Sequence, residues 1–136
     1  MLKLIVGVKG TGKTKMLIES ANAALETTDG CVVCIEKGTK LIHEIKYQAR
    51  LLDADEYAVS DADALYGFVA GICASNHDVT HVFIDSALKI CDNKIDAFAD
   101  FVDKIADFGE KKGIAFFITA SIAQEDLPDR LAKYIG

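Results

Sequence analysis

Eight residues near the amino terminus carry the chemistry most visible in this chain. Gly7-Val8-Lys9-Gly10-Thr11-Gly12-Lys13-Thr14 matches G-x-x-x-x-G-K-[ST] at every fixed position. Gly7, Gly10 and Gly12 are expected to let the backbone take positive φ and come close to an anion. Successive N–H groups, those of Lys9 and Thr11 among them, would then point inward as an anion nest. The helix that follows would add its positive end. In such a loop Lys13 reaches the β- and γ-phosphates of a nucleoside triphosphate and the Thr14 hydroxyl ligates Mg²⁺. Lys9 and Lys15 flank Lys13, and the phosphates of a nucleotide are the simplest partner for the cluster.

A bound magnesium needs a carboxylate in its shell. His81-Val82-Phe83-Ile84-Asp85 offers one, as an apolar run fit for a buried strand that ends in an acid. Ligands gather at the carboxyl ends of parallel strands, which would put Asp85 beside the loop after the first strand. Hydrolysis also needs a group to orient the attacking water. The residue after Asp85 is Ser86, so the common Asp-Glu pair is absent. Glu36, at the end of another apolar run, is the best substitute; a solvated strand-end carboxylate is the equal alternative. Lys13, Glu36 and Asp85 are thus the catalytic candidates. Thr119 and Ser121 end a further strand, where a polar residue would sense the γ-phosphate or simply shape a turn.

Other polar residues show less pattern. His43, His77 and His81 have no metal or triad spacing. Arg50 and Arg130 are the only arginines and neither lies in a motif. Cys31 and Cys34 have C-x-x-C spacing, but within the apolar run Cys31-Val32-Val33-Cys34-Ile35. Residues three apart on a strand point to opposite faces, so these thiols should be packed in the core without converging on a metal.

The elements expected to position these groups alternate apolar runs with helical patterns, as in a parallel sheet covered by helices. Strands are expected at Leu2 to Val6, Cys31 to Glu36, His81 to Asp85 and Ile114 to Thr119, the last central in the sheet, with a short one at Glu56 to Val59. Helices are expected from Lys13 to Thr27, with Met16, Leu17, Ala21, Ala24 and Leu25 inward. A second should start at Gly38-Thr39, capped by Thr39, with Ile42, Ile45, Ala49 and Leu52 inward. A third, Asp61 to Ala74, should be capped by Ser60 with Asp63, and a fourth should run from Lys94 to Lys111, closed by Gly113. Pro128 should open a last short helix. The fold class is α/β: three layers, α/β/α, with a mostly parallel central sheet, in one nucleotide-binding domain over residues 1–136.

Net charge is −6, from 15 basic and 21 acidic residues. That balance argues against fold-wide attraction to nucleic acid or anionic lipid. No apolar run approaches the ~20 residues of a membrane span, and Met1 to Gly7 read as structural and not as a signal peptide. The expected location is cytoplasmic.

With both motifs in place, the chain resembles the P-loop NTPase superfamily, and within it the RecA-like branch whose sheet carries an additional central strand. The resemblance runs from Met1 to about Ser121. Cys34-Ile35-Glu36-Lys37-Gly38, Leu65-Tyr66-Gly67-Phe68 and Thr80-His81-Val82-Phe83-Ile84-Asp85-Ser86 are similar to segments of small stand-alone bacterial proteins that carry a twitching-motility label. The resemblance implies the fold and ATP binding, with Lys13 and Thr14 at the phosphates and magnesium and Asp85 as the Walker B acid. The absence of an Asn-Lys-x-Asp guanine signature favours ATP. Three functions follow as expectations. The first is slow Mg²⁺-dependent ATP hydrolysis whose nucleotide state regulates an unidentified protein partner. The others are a small-molecule kinase of nucleoside or nucleotide type, and a ring-forming motor subunit with Arg130 completing a neighbour's site.

Overall fold

The computed structural model describes the backbone of residues 1–136 and every side chain except that of Ile42. Five strands form one all-parallel sheet: β1 (Leu2–Gly7), β2 (Cys31–Glu36), β3 (Arg50–Asp53), β4 (Val79–Ile84) and β5 (Ala115–Ser121). Their order is β1-β5-β4-β2-β3. β5 therefore separates β1 from β4, and β4 takes the middle place that the sequence suggested for Ile114 to Thr119. Four helices accompany the sheet: α1 (Lys13–Thr27), α2 (Ala62–Ser75), the single-turn α3 (Ala87–Ile90) and α4 (Ile95–Lys112).

Alternation along the strands sorts the core into two layers. Val33, Ile35, Val82, Ile84, Phe116 and Ile118 face α2 and α4, where Leu65, Val69, Phe98, Phe101 and Ile105 close the larger cluster. Val32, Cys34, Phe83, Phe117 and Ile5 face α1, with Leu17, Ala21 and Ala24. The result is the three-layer α/β/α arrangement. Cys31 packs with the first layer and Cys34 with the second, on opposite faces as strand geometry requires. Burial, with the Glu36 carboxylate as a smaller cause, pushes the Cys34 thiol up to about 12, so it stays a packed thiol.

α1 spans the residues expected of it, yet Met16 faces outward and is 43% exposed. It lies in the first turn, ahead of the stretch that packs on the sheet. α2 is capped by Asp61, whose side chain accepts from the Ala64 N–H, and not by Ser60. Gly113 closes α4 in the left-handed conformation at φ 69°. Pro128 precedes a 3₁₀ helix from Asp129 to Tyr134. Among the described residues no helix is long and apolar enough to cross a membrane.

The main departure lies between Gly38 and Val59. Instead of a helix, the chain makes a 3₁₀ turn at Lys40–His43, a loop, and then β3, which pairs with β2 from Val33↔Arg50 to Glu36↔Asp53. Thr39 makes no side-chain cap; Glu36 takes the amides of Lys40 and Leu41 instead. Ile45 and Ala49 are still buried, against α1, but from a loop. The Ile42 side chain lies outside the described residues. Leu52 belongs to β3 because the outer edge of β2 needs backbone partners, and four extended residues supply them. Glu56 to Val59 is not a strand. Asp53 starts a 3₁₀ turn at Ala54–Tyr57 by accepting from Asp55 N–H, and Ala58 ends it at φ 58°.

Candidate functional site

The site forms where three strands end. In β2, β4 and β5 the residues facing α1 are Cys34, Phe83 and Phe117. Two positions further along the same face come Glu36, Asp85 and Thr119. The register sets Cys34 beside Phe83 and Phe83 beside Phe117, so these three polar residues make a row across adjacent strand ends. All are buried: Glu36 is 7% exposed, Asp85 8% and Thr119 1%.

Asp85 is held by hydroxyls. Thr119 Oγ1 donates to its Oδ1 at 2.7 Å, and Thr14 Oγ1 lies 3.2 Å from both carboxylate oxygens. Thr119 also accepts from the Ser86 N–H at 2.8 Å, which fixes the backbone just past the carboxylate, where Ser86 adopts φ 56°. The Asp85 N–H donates to the Ile35 carbonyl and so extends the β2–β4 ladder to this point. Thr14 is thereby tied across 71 residues to Asp85, and the start of α1 sits above the end of β4.

The glycine-rich loop leads into α1 with its amides free. Gly10 and Gly12 have φ 88° and 85°. Gly7 does not take positive φ; a Cβ there would lie 2.7 Å from the Thr11 hydroxyl, which would have to turn away. α1 has no side-chain cap and no acid in its first turn. Among the described hydrogen bonds, none has a backbone N–H of Lys9 through Lys15 as donor. Seven successive amides without protein acceptors, at a helix start, attract an anion. Lys13 is only 8% exposed, and its Nζ donates to the Val8 carbonyl at 3.0 Å beside Thr11 Oγ1.

Glu36 shares the row but has different partners. Its Oε1 accepts from Lys40 N–H at 3.0 Å and its Oε2 from Leu41 N–H at 2.9 Å. Burial raises its pKa above the usual 4.5; the two amides pull it down, and Asp85 and Asp53 push it up again. The carboxylate therefore anchors the turn after β2 as well as lining the site. Asp53 and Asp55 complete that anchor, the first accepting from Gly38 N–H and the second pairing with Lys37.

Residues of the loop and of the three strand ends line one cavity of about 580 Å³, whose wall includes six lysines: Lys9, Lys13, Lys15, Lys37, Lys40 and Lys89; Gly7, Thr11, Asp53 and Asp55 are not part of that wall. In a chain of net charge −6 this concentrates positive potential at one place. Lys13, Thr14, Glu36, Asp85 and Thr119 are thus brought together, along with Gly10, Gly12, Lys9 and Ser121. Arg130 is not; Asp100 and Asp103 hold it against α4. Arg50 begins β3 beside Val33, three residues short of the strand ends, and does not line the cavity. Sequence patterns did not single out Lys40 or Lys89, which enter the cavity only because β2 lies next to β4. Among the described residues no three His, Cys, Asp or Glu side chains could hold a metal by themselves. Thr14 and Asp85 offer two hard oxygen donors, a set that would suit Mg²⁺ with a ligand's phosphates and waters completing its shell. Neither models of known protein families nor curated proteins match the chain.

Proposed function

We propose that the chain binds ATP with Mg²⁺ on the loop from Gly7 to Thr14, as a P-loop NTPase of the additional-strand branch. The observation that carries this is the run of seven uncapped amides closing on Lys13 and on the Thr14–Asp85 pair. The strand order supports the branch, since β5 stands between the strand before the loop and the strand before Asp85. The amides and Lys13 bind and orient the phosphate chain. Thr14 and Asp85 hold the magnesium, which would shield phosphate charge when bound. Thr119 keeps Asp85 in one orientation through its 2.7 Å hydrogen bond.

Hydrolysis is proposed to be slow. Both oxygens of Glu36 already accept backbone amides, leaving one lone pair on each to orient a water. Arg130 is occupied by two aspartates. A site with these limits suits a protein whose bound nucleotide governs contact with a protein partner.

Calorimetric titration with ATP·Mg tests the binding. Wild type should give a saturable isotherm, and Lys13→Ala should weaken it by about 100-fold, since a charged hydrogen bond to phosphate is lost. Equal affinity of the two proteins would contradict the proposal. Phosphate release that needs no added nucleoside would favour hydrolysis over a kinase.

A further inference from the structure

The two edges of the sheet are finished differently. β1 is covered by the chain itself: Ile135 bridges to Leu4, and the Gly136 N–H donates to the Leu4 carbonyl at 3.2 Å. β3 has no such cover. Among the described hydrogen bonds, none outside its ladder with β2 uses the main chain of Arg50–Asp53. Alternate residues of β3 therefore turn unpaired N–H and C=O groups outward. Leu51 and Leu52 are only half-buried there, one on each face of the sheet.

A short edge strand with charged ends ordinarily resists pairing. Here the charges are ordered by sign. Arg50 begins the strand, exposed and without an ion-pair partner among the described residues; Glu56, past the other end, is exposed and unpaired as well. Tyr47, just before β3, is 89% exposed, and Tyr57, just after it, is 52% exposed and tilted against Phe68. In an antiparallel pair the start of one strand lies beside the end of the other. A second copy of this chain would set basic flank against acidic flank and Tyr47 beside Tyr57, each twice by symmetry.

Strand geometry limits the register. A two-fold axis through a continuous sheet keeps each face on its own side, so a residue stands opposite only residues of the same face. Either Leu51 or Leu52 then meets its own copy. Centring on Leu51 makes the two Arg50 side chains diagonal neighbours, a like-charge contact. Centring on Leu52 stacks leucine on leucine and leads Arg50 to the turn that carries the partner's Glu56. It also sets the two Asp53 residues on a diagonal, but each carboxylate is already turned to the amides of Gly38 and Asp55 in its own chain.

We propose that the chain forms a two-fold dimer by antiparallel pairing of the β3 edges, centred on Leu52, which joins the two sheets into one. The two cavities then open at opposite ends of the joined sheet, so neither copy completes the other's site, and the dimer stands apart from the nucleotide reading.

Sedimentation equilibrium of the full chain at low salt tests this. Wild type should be dimeric at about 200 µM, a concentration that detects even a weak edge contact. Arg50→Glu and Glu56→Arg should each weaken dimerisation about tenfold, since symmetry repeats every contact, and the two together should restore it. Tyr47→Ala should weaken it without rescue. All three side chains are exposed, so circular dichroism and melting of the variants should match wild type. A monomeric wild type at that concentration would overturn the proposal. So would a dimer that the single charge reversals leave intact, or that the combined exchange fails to restore.

Discussion

Asp85 and Glu36 stand one strand apart, on the same face, buried to the same degree, and they are built for different tasks. Asp85 is held by two hydroxyls: Thr119 fixes it at 2.7 Å, while Thr14, 3.2 Å from both oxygens, can rotate and exchange its partner. Glu36 is tied to two backbone amides that have nowhere else to turn. A carboxylate held by hydroxyls can be shared with a metal or a ligand while its surroundings stay put. A carboxylate that caps a turn cannot leave without loosening that turn. Equal burial therefore does not mean equal availability, and the partner type separates the two.

Three substitutions probe that contrast. Asp85→Asn should have the largest effect on ligand chemistry. It keeps the shape of the side chain but removes the charge, and the Mg²⁺-dependent part of ATP affinity should fall about 10–100-fold, as when metal sites lose an oriented partner. ATP titrations with and without Mg²⁺ would show it; an unchanged magnesium effect would place the metal elsewhere. Thr119→Val should come next, through stability. It leaves the Ser86 N–H without an acceptor and Asp85 without its shortest hydrogen bond. A loss of about 1–3 kcal/mol in denaturant unfolding is expected.

Glu36→Gln should be the mildest, about 1 kcal/mol at neutral pH, because losing one amide acceptor is offset by no longer burying a charge. Its signature is the pH dependence. The folded pKa of Glu36 lies above 4.5, so between that value and its folded pKa the native state holds more protons than the unfolded chain. The Glu36 contribution to stability therefore falls as pH rises through that window and is flat above it. The difference between wild-type and Gln unfolding curves across mildly acidic pH should show this slope, and a slope of opposite sign would mean that the amides, and not burial, dominate.

The same row shows what was legible in the sequence. Glu36, Asp85 and Thr119 each end an apolar run, and the two-residue period of a strand puts each on the α1 face. Their neighbourhood depended on strand order, which no local pattern states. The loop and α1 were also readable, because glycine spacing and helical periodicity are local signals. The stretch from Gly38 to Val59 was not. Ile45, Ala49 and Leu52 have helix-like spacing, but Glu36 captures the first amides and the edge of β2 captures Arg50–Asp53. Lys40 and Lys89 left no trace in the sequence either, since an exposed lysine in a cavity and one on an open surface look alike until the fold brings β2 beside β4.

Thermal unfolding with ATP·Mg tests the central claim most directly. A ligand that binds only the folded chain must stabilise it, by about 2.7 kcal/mol at a hundred times Kd. Wild type should melt several degrees higher with ATP·Mg than without, and Lys13→Ala, binding about 100-fold more weakly, should show only a small part of that shift. An unmoved melting temperature of the wild type at millimolar ATP·Mg would contradict the account.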